Sequence, residues 1–268
     1  MQKRPNENRL IRLLALCLVA ATLALSGCSR EERDDERGAE ELYAEAQKTL
    51  QARNYITAID RYKRLTTRYP FGRHAEQAQL DMAYAMYKAN RPEEALSTLE
   101  RFIRTYPTHP NVDYAWYLKG LVHYEDALSF LRRLFPGQVV DRDQTSARMA
   151  FQELQELVRR FPQSRYVPDA RQRMVYLRNV LAEHEIVVGE YYFRRGAYIA
   201  AINRAKYVIE TYPRTPSNAQ ALDLMARAYS ELDMPELASD TRRVLEMNYD
   251  DIEFEESESL WRRLWPFD

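Results

Sequence analysis

Apolar side chains along this chain fall into blocks of helical spacing, and the blocks end alike. An aromatic residue followed by proline recurs at Tyr69-Pro70, Tyr106-Pro107, Phe161-Pro162 and Tyr212-Pro213, at separations of 37, 55 and 51 residues. Proline cannot continue a helix and pushes the residue before it to extended backbone, so each pair predicts a helix end and the start of a connection. Twelve residues before each proline stands an alanine: Ala58, Ala95, Ala150 and Ala201. The chain therefore predicts helices that stop at fixed distances from a small residue.

This spacing resembles the tetratricopeptide (TPR) repeat, a helix-turn-helix unit of about 34 residues with small residues at the helix crossing and proline at the end. Five imperfect units follow the pattern: Ala46, Ala58, Tyr62 and Pro70; Ala83, Ala95, Leu99, Phe102 and Pro107; Trp116, Gly120, Ala150, Leu154 and Pro162; Gly189, Tyr192, Ala201 and Pro213; and Ala226, Tyr229, Ala238 and Leu245, without a final proline. Alanine or glycine at a crossing lets two helices approach at the short end of the usual 8–10 Å range. A single pair cannot bury its apolar face, so the expectation is an all-α, TPR-type solenoid of about five pairs over residues 39–250 with a concave binding groove. At this spacing Tyr62, Tyr84, Tyr192 and Tyr229 read as packing residues.

Two stretches depart from the period. Pro136 and Gly137 predict a projecting loop over residues 131–145 within the third unit. From Pro168 to Arg195 no breaker occurs before Gly189, which predicts one long helix from Asp169 to about Arg194, with Asp169 as its cap.

The N-terminus carries a different signal. Lys3, Arg4, Arg9 and Arg12 precede the apolar run Leu13–Leu25, and Ser26-Gly27 precede Cys28. That is the pattern of a bacterial lipoprotein signal over residues 1–27, with Cys28 as the lipid-attachment residue. The 13-residue core is shorter than the roughly 20 residues needed to span a bilayer as a helix. Ser29 stands where lipoproteins retained in the inner membrane often carry Asp, which favours the periplasmic face of the outer membrane. Residues 28–38 read as a lipidated cysteine and charged tether. Residues 251–268 read as an acidic and aromatic tail, either a cap on the last pair or a membrane-interface segment.

Removing residues 1–27 takes away four basic residues and Glu7, so the formal charge moves from -1 to -4. That balance argues against a nucleic-acid partner. Cys17 leaves with the signal, so no cysteine partner remains for Cys28. His74, His109, His123 and His184 lack ligand-like spacing. With no phosphate loop, zinc-protease helix or nucleophile elbow, the chain reads as a binding protein rather than an enzyme, with no cofactor and no metal.

Four strings narrow the reading: Arg68-Tyr-Pro-Phe-Gly-Arg-His-Ala-Glu-Gln-Ala-Gln-Leu, His109-Pro-Asn-Val-Asp-Tyr-Ala-Trp-Tyr-Leu-Lys-Gly-Leu, Phe161-Pro-Gln-Ser-Arg-Tyr-Val-Pro-Asp-Ala-Arg-Gln-Arg-Met-Val-Tyr-Leu-Arg-Asn and Tyr191-Tyr-Phe-Arg-Arg-Gly-Ala-Tyr. With the lipid-attachment signal they resemble the BamD (ComL/YfiO) family, TPR lipoproteins of the outer-membrane β-barrel assembly machine. The resemblance covers roughly Leu42 to Tyr249, both irregularities included. It implies binding to the central barrel subunit through its periplasmic domains, to accessory assembly lipoproteins and to unfolded outer-membrane proteins. On this sequence it implies substrate contacts at Tyr69, Phe71, Arg73, Gln77, Asp81 and Tyr84, and subunit contacts at Arg195, Gly196, Tyr198 and the fifth pair. The alternative is a general periplasmic TPR lipoprotein, a secretin pilotin or a scaffold for cell-wall enzymes. Such a protein need not share the long helix or the lengthened third unit.

Overall fold

A computed structural model describes residues 37–134 and 144–249. The signal sequence, Cys28, nearly all of the tether and the tail 251–268 lie outside the described residues. Ten helices form the described chain: α1 (Ala39–Gln51), α2 (Tyr55–Arg68), α3 (Arg73–Lys88), α4 (Pro92–Thr105), α5 (Val112–Leu134), α6 (Thr145–Arg160), α7 (Val167–Arg194), α8 (Tyr198–Thr211), α9 (Ser217–Glu231) and α10 (Pro235–Asn248). The fold is all-α and its helices form the five expected TPR-type pairs. The chain divides into two compact units, residues 1–85 and 86–268, with the division inside α3.

Four helix ends obey the aromatic-proline pattern. Tyr69, Tyr106, Phe161 and Tyr212 each take φ between -121° and -128°, and each donates its backbone N–H to the carbonyl four residues back, on Leu65, Phe102, Leu157 and Val208. The last helical hydrogen bond thus forms before the following proline removes a donor. All four accepting residues are fully buried, so the helix end is fixed from its apolar side.

The turn inside a pair is equally regular. Arg53, Asn90, Gly196 and Asp233 each stand two residues before the next helix, and each has φ between +55° and +72°. This left-handed conformation strains most L-residues. Glycine, asparagine and aspartate tolerate it at three sites, and Arg53 is the exception.

In the first unit α1 packs on α2, with Ala46, Ala58, Tyr62 and Leu65 fully buried. In the second unit α4 packs on α5, each helix from α5 to α9 packs on its successor, and α7 also reaches α9. One core runs through α5–α9, including Ala150, Leu154, Leu177, Ala201, Val208 and Leu224. Both expected crossing glycines lie in it. A Cβ on Gly120 would stand 2.6 Å from Leu154 Cδ2, and one on Gly189 would stand 2.7 Å from Leu224 Cδ2. Only a hydrogen fits at either crossing.

Three expectations are corrected. The long helix starts at Val167 and spans 28 residues, with Tyr166 rather than Asp169 at its cap position. Asp169 lies in the first turn because Pro168, which needs no donor, occupies the opening of the helix. Residues 131–134 are helical, the end of a 23-residue α5, because the breakers Pro136 and Gly137 stand only beyond Leu134. The rest of the expected loop, 135–143, lies outside the described residues, and Thr145 already begins α6.

Two substitutions test this packing. Gly120→Val should lower stability by about 2–3 kcal/mol, since the fully buried Leu154 has no free space to move into. Arg53→Gly should raise stability by about 0.5–1 kcal/mol by relieving the left-handed strain. Chemical denaturation of each variant measures both.

Candidate binding surfaces

The first candidate surface occupies the α2–α3 turn and the outer part of α3. Its base is a polar knot in the first unit. Asp81 accepts hydrogen bonds from Tyr43 Oη at 2.7 Å, Tyr62 Oη at 3.3 Å and Gln77 Nε2 at 2.8 Å. Burial raises the Asp81 pKa even though its three donors pull it down. Burial, together with the Asp81 carboxylate, also raises the pKa of both tyrosines, which keeps them donors. The Tyr43 ring lies 5.4 Å from His74 and 6.0 Å from Tyr62. Tyr69 donates to the Arg37 carbonyl at 2.8 Å, so the turn is tied to the start of α1.

Above this base the turn is open. Phe71 is 87% exposed, an unusual state for a large apolar ring. Arg73 is exposed at the first position of α3, where its Nε donates to His74 Nε2 at 3.2 Å. Tyr84 is half-buried further along α3. Apart from the half-buried Tyr84, the expected substrate residues thus fall into two groups. Tyr69, Gln77 and Asp81 hold internal hydrogen bonds, while Phe71 and Arg73 point chemistry outward at the turn.

The second surface is the α7–α8 turn. Arg195 is exposed and lies over the Tyr191 ring, 5.4 Å from its centroid. Gly196 has φ +72° with no neighbour that a Cβ would meet, so its role is to turn the chain. Tyr198 donates to Glu231 at 3.1 Å and meets Phe193 edge-on at 5.4 Å. Below them Arg227 lies 4.8 Å from the Phe193 ring and pairs with Asp223 at 2.8 Å and with the buried Glu190. The turn is held from inside by this ionic group, leaving the Arg195 guanidinium outside.

Sequence reasoning missed a third feature. Tyr114, Tyr117 and Tyr124 on α5 face Tyr166, Asp169, Arg173 and Tyr176 at the head of α7. Tyr117 stacks on Tyr166 at 4.6 Å and donates to Asp169 at 2.7 Å, Arg173 lies 4.6 Å from the Tyr124 ring, and Tyr124 meets Tyr176 at 6.1 Å. The Tyr114–Tyr166, Tyr117–Asp169 and Tyr124–Tyr176 partners all stand 52 residues apart, so the two helices run parallel in register. Burial and the hydrogen bond to Asp169 push the Tyr117 pKa up to about 12. Burial opposes ionisation of Asp169, but hydrogen bonds from Arg173 and Tyr117 hold its pKa below the ordinary value. The signal was present as tyrosines at helical spacing on both segments, 52 residues apart.

The YfiO family, described as an outer membrane lipoprotein, matches residues 35–245. The outer membrane protein assembly factor BamD of Neisseria gonorrhoeae is 44% identical, over 93% of this chain and 98% of its own length. The chain belongs to the BamD family. Relatives of the same name from Xylella fastidiosa (strain Temecula1 / ATCC 700964) and Haemophilus influenzae are 38% and 36% identical, over 94% and 90% of this chain and 86% and 92% of their own. Among solved structures, the TPR2AB domain of yeast Sti1, from a complex with pHSP90, aligns with 80% of this chain and 78% of its own at 16% identity and a TM-score of 0.45. The BamD-family match covers the whole of α1–α9 and ends within α10. No described helix is long and apolar enough to cross a membrane, and the described residues contain no cluster of three or more potential metal ligands.

The Asp81 knot makes a pH prediction. A raised pKa means that the folded chain binds this proton more tightly than the unfolded chain. The stabilising contribution is therefore present below the ordinary value of 3.8 and is lost as pH rises through the raised value. Thermal melts from about neutral pH towards about pH 4 should show the unmodified chain gaining on Asp81→Asn as acid is added. Asp81→Ala, which strands three donors, should cost about 2–4 kcal/mol at neutral pH.

Proposed function

We propose that this BamD-family chain is a lipid-anchored subunit of the β-barrel assembly machine on the periplasmic face of the outer membrane. The observation that carries the reading is the 44% identity to an outer membrane protein assembly factor across nearly the full length of both chains. Acylation of Cys28 would hold the chain at the membrane, since several acyl chains at about 0.8 kcal/mol per buried methylene give stable attachment. The chain would then work by binding: to the central barrel subunit through that subunit's periplasmic domains, to accessory lipoproteins, and to unfolded outer-membrane proteins.

The two open turns fit these two tasks. Phe71 and Arg73 offer an aromatic ring and a guanidinium to an extended, aromatic-rich client segment, with the Asp81 knot keeping their base rigid. A preorganised base lowers the ordering cost of binding. Arg195 offers a charge to the central subunit from a turn that Gly196 shapes and the Arg227 group supports. Exposed cations of this kind set partner choice and association rate more than raw affinity.

Isolation of the tagged chain from mildly solubilised outer membranes tests the reading. Recovery of a large barrel protein with repeated periplasmic domains, in near-equal amount, is the expected outcome. A secretin or cell-wall enzymes in its place would overturn it. Phe71→Ala with Arg73→Glu should cut photo-crosslinking to a barrel-derived peptide by about tenfold, the effect of removing roughly 1.4 kcal/mol, while leaving the melting temperature unchanged. Arg195→Glu should reduce recovery of the barrel subunit and spare peptide crosslinking.

A further inference from the structure

The head of α7 carries more chemistry than the fold consumes. Residues 157–182 hold six arginines and a single acid, Asp169, in a chain whose formal charge is -1. Arg159 and Arg160 pair with Glu156, and Arg173 pairs with Asp169. Arg165 lies over the Tyr166 ring at 4.9 Å and donates to the Tyr166 hydroxyl at 2.7 Å. Among the described residues no carboxylate forms an ion pair with Arg165, Arg171 or Arg178. Arg165 and Arg171 are exposed. Beside them Val175 is 49% exposed and Tyr176 42%.

Register explains why this stretch is open. Arg204 of α8 pairs with Glu185, and Arg227 of α9 pairs with Glu190. Counting on from Arg204, α8 ends at Thr211, level with about Arg178; counting back from Arg227, α9 begins at Ser217, level with about Val180. The stretch Val167–Leu177 therefore runs past both helices. Where it emerges, Arg178 Nε and Asn179 Oδ1 are buried without a hydrogen-bond partner. Each has left water and gained no bond, which is the costly state of a polar group. A turn of either side chain toward an incoming group makes a bond and breaks none. The two atoms are a donor and an acceptor on adjacent residues, and Val175, three and four positions earlier, shares their face.

A peptide group is the complement of that pair, with a C=O for Arg178 and an N–H for Asn179. In a helix those groups bond each other, so an extended segment is the one that still has them to offer. The arginines without ion pairs add a demand for carboxylates. We propose that the head of α7 takes an extended, acidic segment of another polypeptide. Its main chain meets Arg178 and Asn179, its carboxylates meet Arg165 and Arg171, and its apolar side chains cover Val175 and Tyr176. From Arg165 to Arg178 is about 20 Å at the helical rise, the span of about six extended residues. An anionic membrane surface supplies the charge but not the peptide group. The site uses neither of the two open turns and stands whether or not the chain works in a barrel-assembly machine.

Fluorescence anisotropy of the purified full chain in detergent tests this. The probe is a labelled peptide of about eight residues built from glutamate, leucine and serine, and the comparator carries lysine in place of glutamate. The glutamate peptide should bind, more weakly as salt is added, and the lysine peptide should not. Arg171→Glu and Val175→Asp, both at exposed positions, should each weaken binding about tenfold. Arg178→Met should weaken binding by a similar factor without lowering the melting temperature, because it removes a buried donor that has no partner. Lys206→Glu, on α8, should change neither. Equal binding of the two peptides, or binding unmoved by Arg171→Glu and Val175→Asp, would overturn the proposal. So would an Arg178→Met chain that melts lower and binds as before, since the guanidinium would then serve the core. Binding to vesicles of phosphatidylethanolamine and phosphatidylglycerol in place of the peptide would overturn it in favour of a membrane surface. Self-association abolished by Val175→Asp, with no peptide bound, would overturn it in favour of a second copy.

Discussion

The constraint on which the rest of the structure depends is the close approach of helices at positions without bulky side chains. At Gly120 and Gly189 the neighbouring leucines, Leu154 and Leu224, occupy the space a Cβ would need. At Ala46, Ala58, Ala95, Ala150 and Ala201 a single methyl is fully buried. These sites set how near the helices come, and nearness decides which larger residues can interlock around them. Tyr62, Phe102, Leu154 and Val208 fill the remaining space because their partners have come within van der Waals range. Dispersion falls steeply with a gap of even half an ångström, so the small residues control a packing term far larger than their own burial.

Close packing fixes distance but not register, and a second set of interactions supplies it. Tyr43 reaches Asp81 across 38 residues, Tyr87 reaches Glu125 across 38, Tyr117 reaches Asp169 across 52, and Arg227 reaches Glu190 across 37. Every one of these links joins the first helix of one pair to the first helix of the next. An apolar stripe can slide by one turn with modest loss. A carboxylate withdrawn from water, as Asp81 and Glu190 are, cannot leave its donors without the full desolvation cost of an unpaired polar group. The polar links therefore choose one alignment among those that the apolar surface permits.

These two layers explain what was legible in the sequence. Helix ends were legible because proline after an aromatic residue acts locally, through the backbone of its own segment, and Tyr69, Tyr106, Phe161 and Tyr212 needed no tertiary information. The crossings at Gly120 and Gly189 were legible because small residues recur at a fixed phase. Asp169 was misread as a cap because an acid near a helix start has two uses, and only the distant Tyr117 and Arg173 decide between them. The end of α5 was misplaced because a breaker shows where a helix cannot continue, not how near to it the helix runs. Which of the candidate site residues face outward was not legible for a related reason. Sequence strings point to a segment, but whether Gln77 or Phe71 faces outward depends on Asp81, Tyr43 and Tyr62 meeting beneath them.

The division of labour at the α2–α3 turn follows from the same physics. A residue can bind a partner only if its own fold does not already consume its bonding capacity. Asp81 is the most polar group of that segment, yet three donors already occupy it, so it would meet a ligand only by giving up an internal bond. Phe71 and Arg73 bear no such commitment to the core: the ring is almost wholly exposed, and the exposed guanidinium donates to its neighbour His74. The α7–α8 turn repeats the arrangement, with Glu190 and Arg227 consumed inside and Arg195 left at the surface. In both turns a buried polar group holds the backbone beside an exposed side chain, which under the proposed function would meet its partner with little motion left to lose. On the proposed reading, recognition falls to side chains whose replacement costs the fold almost nothing, and stability to groups that a partner would not need to touch.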